Sequence, residues 1–168
     1  MEASHSNIVG SKTIHGLAMN ICNTGVLILG ESGKGKSETA LSLIDRGHQL
    51  VSDDAVTLEI QQKSLLAYAP NPINQTIQLA DIGIIDPTKI YKPSSVTPKT
   101  TVQLVFEITS QKQPTQNLNM SFQTISLLNF ALPLLKIQHT PFFNLALKLE
   151  TSIKQFRLMG TNSLCNKQ

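Results

Sequence analysis

Cysteine is scarce in this chain. Only Cys22 and Cys165 occur in 168 residues, and they stand far apart. That is too few for a disulfide-stapled scaffold, and a reduced, cytoplasmic compartment is the simplest expectation. No run of about 18 apolar residues is present, so no segment reads as a membrane span. Residues 1–10 are polar and lack the apolar stretch of a signal peptide. There is no internal repeat and no low-complexity tract. The two cysteines and four histidines show no metal-ligand spacing. His5, His48 and His139 have no sequence neighbours that suggest chemistry. Charge is sparse too: charged residues make up 15%, and the net charge of +3 is too small to argue for nucleic acid. It is unevenly spread, with −3 over residues 1–60 and +6 over residues 61–168. The plain reading is a set of solvated lysines; the sharper one is a docking face for an acidic partner or a phosphorylated product.

What is present fits one globular domain of ordinary composition, 40% hydrophobic, with length enough for a core. Residues 12–21 read as a strand followed by a turn at Cys22-Asn23-Thr24. Residues 25–29 are apolar apart from Gly25, which suits a strand covered on both faces. Residues 37–46 read as a helix with an apolar face of Ala40, Leu41, Leu43 and Ile44, stopped by Gly47. A short strand over 49–52 ends in Asp53-Asp54. Residues 55–61 and 64–69 suit a hairpin. Beyond Pro70-Asn71-Pro72, residues 74–81 read as a mobile segment, 82–86 as a strand stopped by Pro87, and 91–99 as a loop. Alternation of Val102, Leu104, Phe106 and Ile108 predicts a strand over 101–109. Residues 111–119 are turn-like, 122–138 are apolar and interrupted by Pro133, and 144–159 form a closing helix with a basic side at Lys148, Lys154 and Arg157.

One stretch carries chemistry plainly. Gly30-Glu31-Ser32-Gly33-Lys34-Gly35-Lys36-Ser37 matches G-x-x-x-x-G-K-[ST] in full. Glycines in that pattern let successive backbone N–H groups turn inward around an anion. The helix that follows aims its positive end at the same point. Lys36 can reach the outer phosphates, and the Ser37 hydroxyl can ligate magnesium. The plain alternative is a tight strand-to-helix turn with no ligand. Asp53-Asp54 follow a short apolar strand, as a Walker B acid would. One carboxylate could hold magnesium or its water shell, and the other could take a proton from an attacking hydroxyl. Adjacent carboxylates repel, which argues against a purely stabilising role; a helix cap or exposed turn is the alternative. His15, by itself, reads as an ordinary strand histidine.

Residues 25–54 closely resemble the core of bacterial HPr kinase/phosphorylase, through the phosphate loop, the Ser-Glu-Thr-Ala-Leu helix start, the Arg-Gly-His turn and the double aspartate. Ile14-His15-Gly16 and Gly83-Ile84-Ile85-Asp86 resemble further family motifs. A weaker echo over 144–160 includes Asn-Leu-Ala, Glu150 and Phe156-Arg157. The resemblance implies an α/β P-loop domain with a mixed central sheet flanked by helices. It implies a serine kinase acting on HPr, a phosphocarrier of the sugar phosphotransferase system. ATP or pyrophosphate would be the donor, Mg2+ the cofactor and a homohexamer the assembly. The reverse reaction would use phosphate and yield pyrophosphate. The family's extra N-terminal domain is expected to be absent, since 24 residues precede Gly25.

Carried over by position, Lys36 would bind phosphates, Ser37 and Asp54 would serve the metal, Asp53 would be the general base, and His15 would assist near the transferring group. Three positions depart from the family pattern. Gln78 and Ala80 stand where the family has a glutamate and an arginine, and Phe143 stands where it has a second arginine. A slightly different alignment would let Asp81 or Lys136 fill one of these roles. The expectation is normal nucleotide binding with slow transfer. Two alternatives remain open at this stage: a nucleotide-binding regulatory protein of the same fold, and a small P-loop kinase acting on a metabolite.

Overall fold

The computed structural model describes residues 9–71, 75–111, 120–140 and 144–165. The chain opens with β1 (Val9–His15), β2 (Leu17–Ile21) and β3 (Thr24–Gly30). Apolar alternation predicts a single strand over residues 12–21, but the chain turns a corner at Gly16. A Cβ there would meet Ile28 O and Leu29 Cδ2 at 3.2 Å, so a side chain would be crowded. β1 leaves to pair with β5 (Ala55–Gln61), while β2 pairs with β3 and β4 (Gln49–Ser52). The Gly16 amide donates to Asp54 O at 3.0 Å and ties this corner to the end of β4.

Helix α1 (Lys36–Asp45) buries Ala40, Leu43 and Ile44. It stops at Gly47 as expected. Gly47 has φ +92°, its N–H donates to Ile44 O, and His48 N–H reaches back to Leu43 O. This left-handed closure satisfies the last carbonyls of the helix. β5 and β6 (Ser64–Tyr68) form the expected hairpin. Residues 77–79 are ordered rather than mobile. β7 (Ile77–Leu79) pairs antiparallel with β8 (Gly83–Ile85), because Ile77, Leu79 and Ile85 alternate into the core. Asp86 then caps α2 (Pro87–Ile90) by accepting from Thr88 N at 3.0 Å, with Pro87 at the first helical position. The expected loop that follows holds a 3-10 turn at Pro93–Ser95.

β9 (Lys99–Thr109) is the expected long strand. The turn-like stretch after it lies mostly outside the described residues. The apolar stretch around Pro133 is a hairpin of β10 (Gln123–Leu127) and β11 (Phe130–Gln138). β11 pairs with β9 only from Leu134 onward, so the proline's missing N–H falls outside that ladder. α3 (Leu145–Cys165) closes the described chain.

The main sheet runs β1-β5-β6-β9-β3-β2-β4, with β11 on β9 and β10 on β11. β9 serves two neighbours along one edge: residues 99–101 pair with β6, and residues 105–109 pair with β11. Its other edge runs parallel to β3. Gly25 opposes Val102 and Val26 opposes Leu104, so Gln103 is the extra residue of a bulge. The bulge switches the inward face: Val102 belongs to one core cluster and Leu104 to the other. A Cβ on Gly25 would sit 1.9 Å from Thr101 O, so this crossing requires glycine.

Two cores result. One joins α1, α3 and the β7–β8 hairpin to the sheet through Val26, Ile28 and Phe106. The other lies inside the sheet's own curl, between Leu27 and Val105 on one side and Val56, Leu58 and Leu65 on the other. β3 is therefore apolar on both faces, as its sequence requires. The mixed sheet is the expected one. Helices cover one face of it, and the curled strands β5 and β6 cover the other, because their own alternation supplies a second apolar face. Among the described residues no helix is long and apolar enough to cross a membrane.

Candidate active site

β3 delivers the phosphate loop hard against β9. A Cβ on Gly30 (φ +147°) would lie 2.9 Å from Ile108 O. Gly33 and Gly35 adopt φ of +75° and +74°, the left-handed region that glycine enters freely. The loop then becomes the first turn of α1. Lys36 is buried and curls back, its Nζ donating to Gly30 O at 2.8 Å and to Glu31 O at 2.9 Å. Burial lowers its pKa, while Asp53 and Asp54 pull it upward.

β4 brings the two aspartates to the same place, and they face different partners. Asp53 Oδ2 accepts from Ser37 Oγ at 2.8 Å. Burial raises the Asp53 carboxyl above the usual range, and the Ser37 hydrogen bond opposes that rise. Asp54 has φ +71°, and its side chain stands 82% exposed, with Oδ1 3.0 Å from His15 Nδ1. The Gly16 corner aims His15 at this carboxylate. Ser37 therefore touches Asp53, and Asp54, expected at the metal, stands with His15.

A cavity of about 210 Å3 joins these groups. It is lined by Ser32, Gly33, Gly35, Lys36 and Ser37 of the loop, by Glu38, Asp53, Asp54 and His15, and by Gln78 and Ala80 of the β7–β8 hairpin. Every described residue the sequence assigned to the phosphate and acid sites is here, except that Gly30, Glu31 and Lys34 frame the loop without lining the cavity. Lys34 lies 3.5 Å from Glu31. Gln78 and Ala80 occupy the wall where the family pattern suggests an acid and an arginine. Neither Asp81 nor Lys136 lines the cavity; Lys136 pairs with Glu107 at 3.3 Å. Phe143 lies outside the described residues.

Two further features escape sequence reasoning. At the far end of α1, Arg46 chelates Glu150 Oε2 through Nε at 2.6 Å and through Nη2. Lys154 holds Oε1 at 2.9 Å. His48 and Cys22 complete the group, and with Glu150 they offer ligand atoms within 4.8 Å of one another. The turn after β2, the turn after α1 and helix α3 supply these residues, so no spacing could reveal them. Glu150 already carries two cations, and burial with the nearby Glu150 charge raises the Cys22 thiol. A metal that needs thiolate and carboxylate finds neither free. The other feature is His139, whose Nε2 lies within 3.8 Å of where a Gly35 Cβ would be.

Comparison with known proteins gives a family and a fold. A family model described as the HPr Serine kinase C-terminal domain matches residues 6–167. An HPr kinase/phosphorylase of Caldicellulosiruptor bescii is 38% identical over 156 residues, covering 90% of this chain and 50% of that protein. The HPr kinase/phosphorylase of Bacillus subtilis is 34% identical over 163 residues, covering 94% and 53%. The solved Hpr(Ser) kinase/phosphatase of Coxiella burnetii superposes with a TM-score of 0.85 at 32% identity, covering 94% of this chain and 99% of that one. The chain spans about half the length of the curated relatives it matches.

Proposed function

The chain belongs to the HPr serine kinase C-terminal domain family, and on that premise we propose that it transfers a phosphoryl group from ATP or pyrophosphate to a serine of an HPr-type phosphocarrier in the cytoplasm. The observation that carries this reading is the meeting of the phosphate loop, Lys36, Ser37, Asp53, Asp54 and His15 around one cavity. Lys36 exchanges its carbonyl partners for the donor's outer phosphates. Ser37 and Asp54 would offer oxygen donors that fit Mg2+, which would neutralise charge on the phosphates. Asp53 takes the proton of the acceptor serine, since a carboxyl raised by burial is a better base than an exposed one. Asp54 fixes His15 beside the transferring group. The reverse phosphorolysis would use the same groups.

Gln78 and Ala80 bring no charge to the wall they line. Phosphoryl transfer depends mainly on charge stabilisation, so turnover is slow while nucleotide binding survives. Exposed Ile82 and Ile84 (71% and 75%) sit on the same hairpin and form an apolar lip. That lip suits a protein acceptor better than a small metabolite. By family relation the active form is a homo-oligomer, hexameric; light scattering that finds only an 18.4 kDa monomer would count against that assembly. The deciding experiment is transfer of labelled phosphate from ATP or pyrophosphate to HPr-type proteins of the same organism. Lys36→Ala should abolish magnesium-dependent donor binding by calorimetry, and unchanged affinity would overturn the reading.

A further inference from the structure

β4 is the last strand on its side of the sheet, and the two aspartates follow it. Its pairing with β2 is irregular near that end. Ala18 opposes Ser52 and Met19 opposes Leu50, so Val51 is the extra residue of a bulge. A bulge bends its strand and re-aims the side chains that follow, here Asp53 and Asp54. We infer that Gln75 is a positioning residue for phosphoryl transfer: its side-chain amide pins this bulge, and with it the aspartate corner, to the chain that enters the hairpin wall of the phosphate cavity. The inference rests on the function proposed above and names a residue that supports it.

Val51 is fully buried, so water does not serve its carbonyl. A buried carbonyl left without a partner is costly. Gln75 Nε2 donates to Val51 O at 2.6 Å and to Thr97 O at 2.7 Å, which uses both of its hydrogens. The two carbonyls belong to neighbouring segments. Residues 96–97 run parallel to β4, through a bridge between Leu50 and Val96 and through Thr97 N–H, which donates to Leu50 O at 2.8 Å. The Gln75 amide acts one residue further along, at Val51. It does there what a peptide N–H does in a regular ladder.

Beyond the bulge the corner is tied to itself and to β1. Ala55 N–H donates to Asp53 O at 2.9 Å, Ser52 Oγ donates to Ala55 O, and Gly16 N–H donates to Asp54 O at 3.0 Å. A shift at Val51 is therefore carried into the corner rather than absorbed before it. In the other direction, Gln75 stands just before β7, which carries Gln78 and leads to Ala80, and both of these line the cavity. One side chain thus sets the spacing between the aspartates and that wall. The phosphate loop is held separately, by β3 against β9 and by α1, so donor binding does not depend on Gln75. Transfer does, because a misplacement of about 1 Å can cost about a hundredfold in rate.

Two variants test this on the whole chain. Gln75→Leu removes both donors and keeps most of the bulk, and Gln75→Glu sets a carboxylate against two carbonyls. Amide hydrogen exchange should quicken about tenfold or more at Gly16 and Ala55 and stay within about twofold at Thr39, whose N–H bonds Gly35 O at the start of α1. Affinity for magnesium-bound ATP and pyrophosphate, by calorimetry, should stay within about twofold, while single-turnover transfer to an HPr-type protein falls about tenfold or more. The fall should be larger in Gln75→Glu than in Gln75→Leu. Unchanged exchange at Gly16 and Ala55 in both variants, or transfer at the wild-type rate in both, would overturn the inference. So would exchange that quickens equally at Thr39, or donor affinity that falls in step with transfer, since either marks a general loss of structure. Wild-type protein that binds a donor but transfers nothing would overturn the functional reading instead, and the exchange comparison would still decide whether Gln75 pins the corner.

Discussion

Helix α1 carries an acid-centred cluster at each end, and the two are built on opposite terms. At its C-terminal end Glu150 is held by Arg46 and Lys154, and these partners keep its pKa below the ordinary carboxylate range. At its N-terminal end Asp53 is raised and Lys36 is lowered, each chiefly by burial. One cluster has answered its charges within the protein. The other keeps buried charges whose ionised forms desolvation disfavours. Family resemblance touches both clusters equally, through the Arg-Gly-His turn and the double aspartate. The electrostatic contrast separates a knot between α1 and α3 from the cluster proposed to bind phosphate.

The contrast can be broken first at Asp53. Asp53→Asn should lower phosphoryl transfer by about a hundredfold or more while donor affinity stays within several-fold. Single-turnover transfer and calorimetry would separate the two, and near-wild-type transfer would move the base to Asp54 or His15. The unlined wall can be sharpened instead. Restoring charge with Gln78→Glu and Ala80→Arg together should raise turnover about tenfold or more, with little change in donor binding. A double variant no faster than wild type would mean that the hairpin wall does not face the transferring group.

Next in size is the knot. Glu150→Gln should destabilise the protein by about 1–2 kcal/mol, since it strands Arg46, although solvent around Arg46 and Lys154 moderates the loss. Denaturant melts would measure it, and donor affinity should not move. Glu150 has a depressed pKa in the folded state, so its contribution is present above the ordinary 4.5 and is lost as pH falls through the folded value. The gap between Glu150→Gln and wild type should close in acid. Asp53 has the reverse sign. Its pKa is raised on folding, so its favourable contribution exists below the ordinary 3.8 and is lost as pH rises through the folded value. Asp53→Asn should therefore be slightly more stable than wild type at neutral pH, by about 1 kcal/mol or less, and this gain should shrink in acid. A destabilised Asp53→Asn at neutral pH would remove the contrast between the two ends of α1.

The sequence revealed the N-terminal cluster and hid the other. The phosphate loop is contiguous, and the double aspartate ends a strand that can be read from Leu50 and Val51. Cys22, His48 and Glu150 come from two turns and a helix whose meeting depends on how α1 packs on α3. The Gly16 corner was also hidden, because apolar residues continue through it and only the closeness of Ile28 and Leu29 forces the turn. The bulge at Gln103 leaves the alternation around it strand-like and shifts its phase, which a strand assignment does not register. The segment holding β7 reads as mobile in the sequence because three residues bracketed by polar ones give too short a pattern, and its strand pairing comes with Ile77 and Leu79 reaching the core. His139 lacked neighbours in the sequence and gained one only when β11 ran back beside the loop.

The double service of β9 has a consequence for the order in which the protein is made. β3, which carries the phosphate loop, is flanked by β2 on one side and by β9 on the other. The hydrogen bond from Gly25 N to Gln103 spans 78 residues of sequence. Every residue lining the phosphate cavity, from His15 to Ala80, leaves the ribosome before the strand that closes this edge is complete. During synthesis the loop hangs from a half-paired strand with an open, apolar edge, a form exposed to mispairing. Nascent chains that end before Thr109 should fail to retain a phosphate ligand although they contain the whole site.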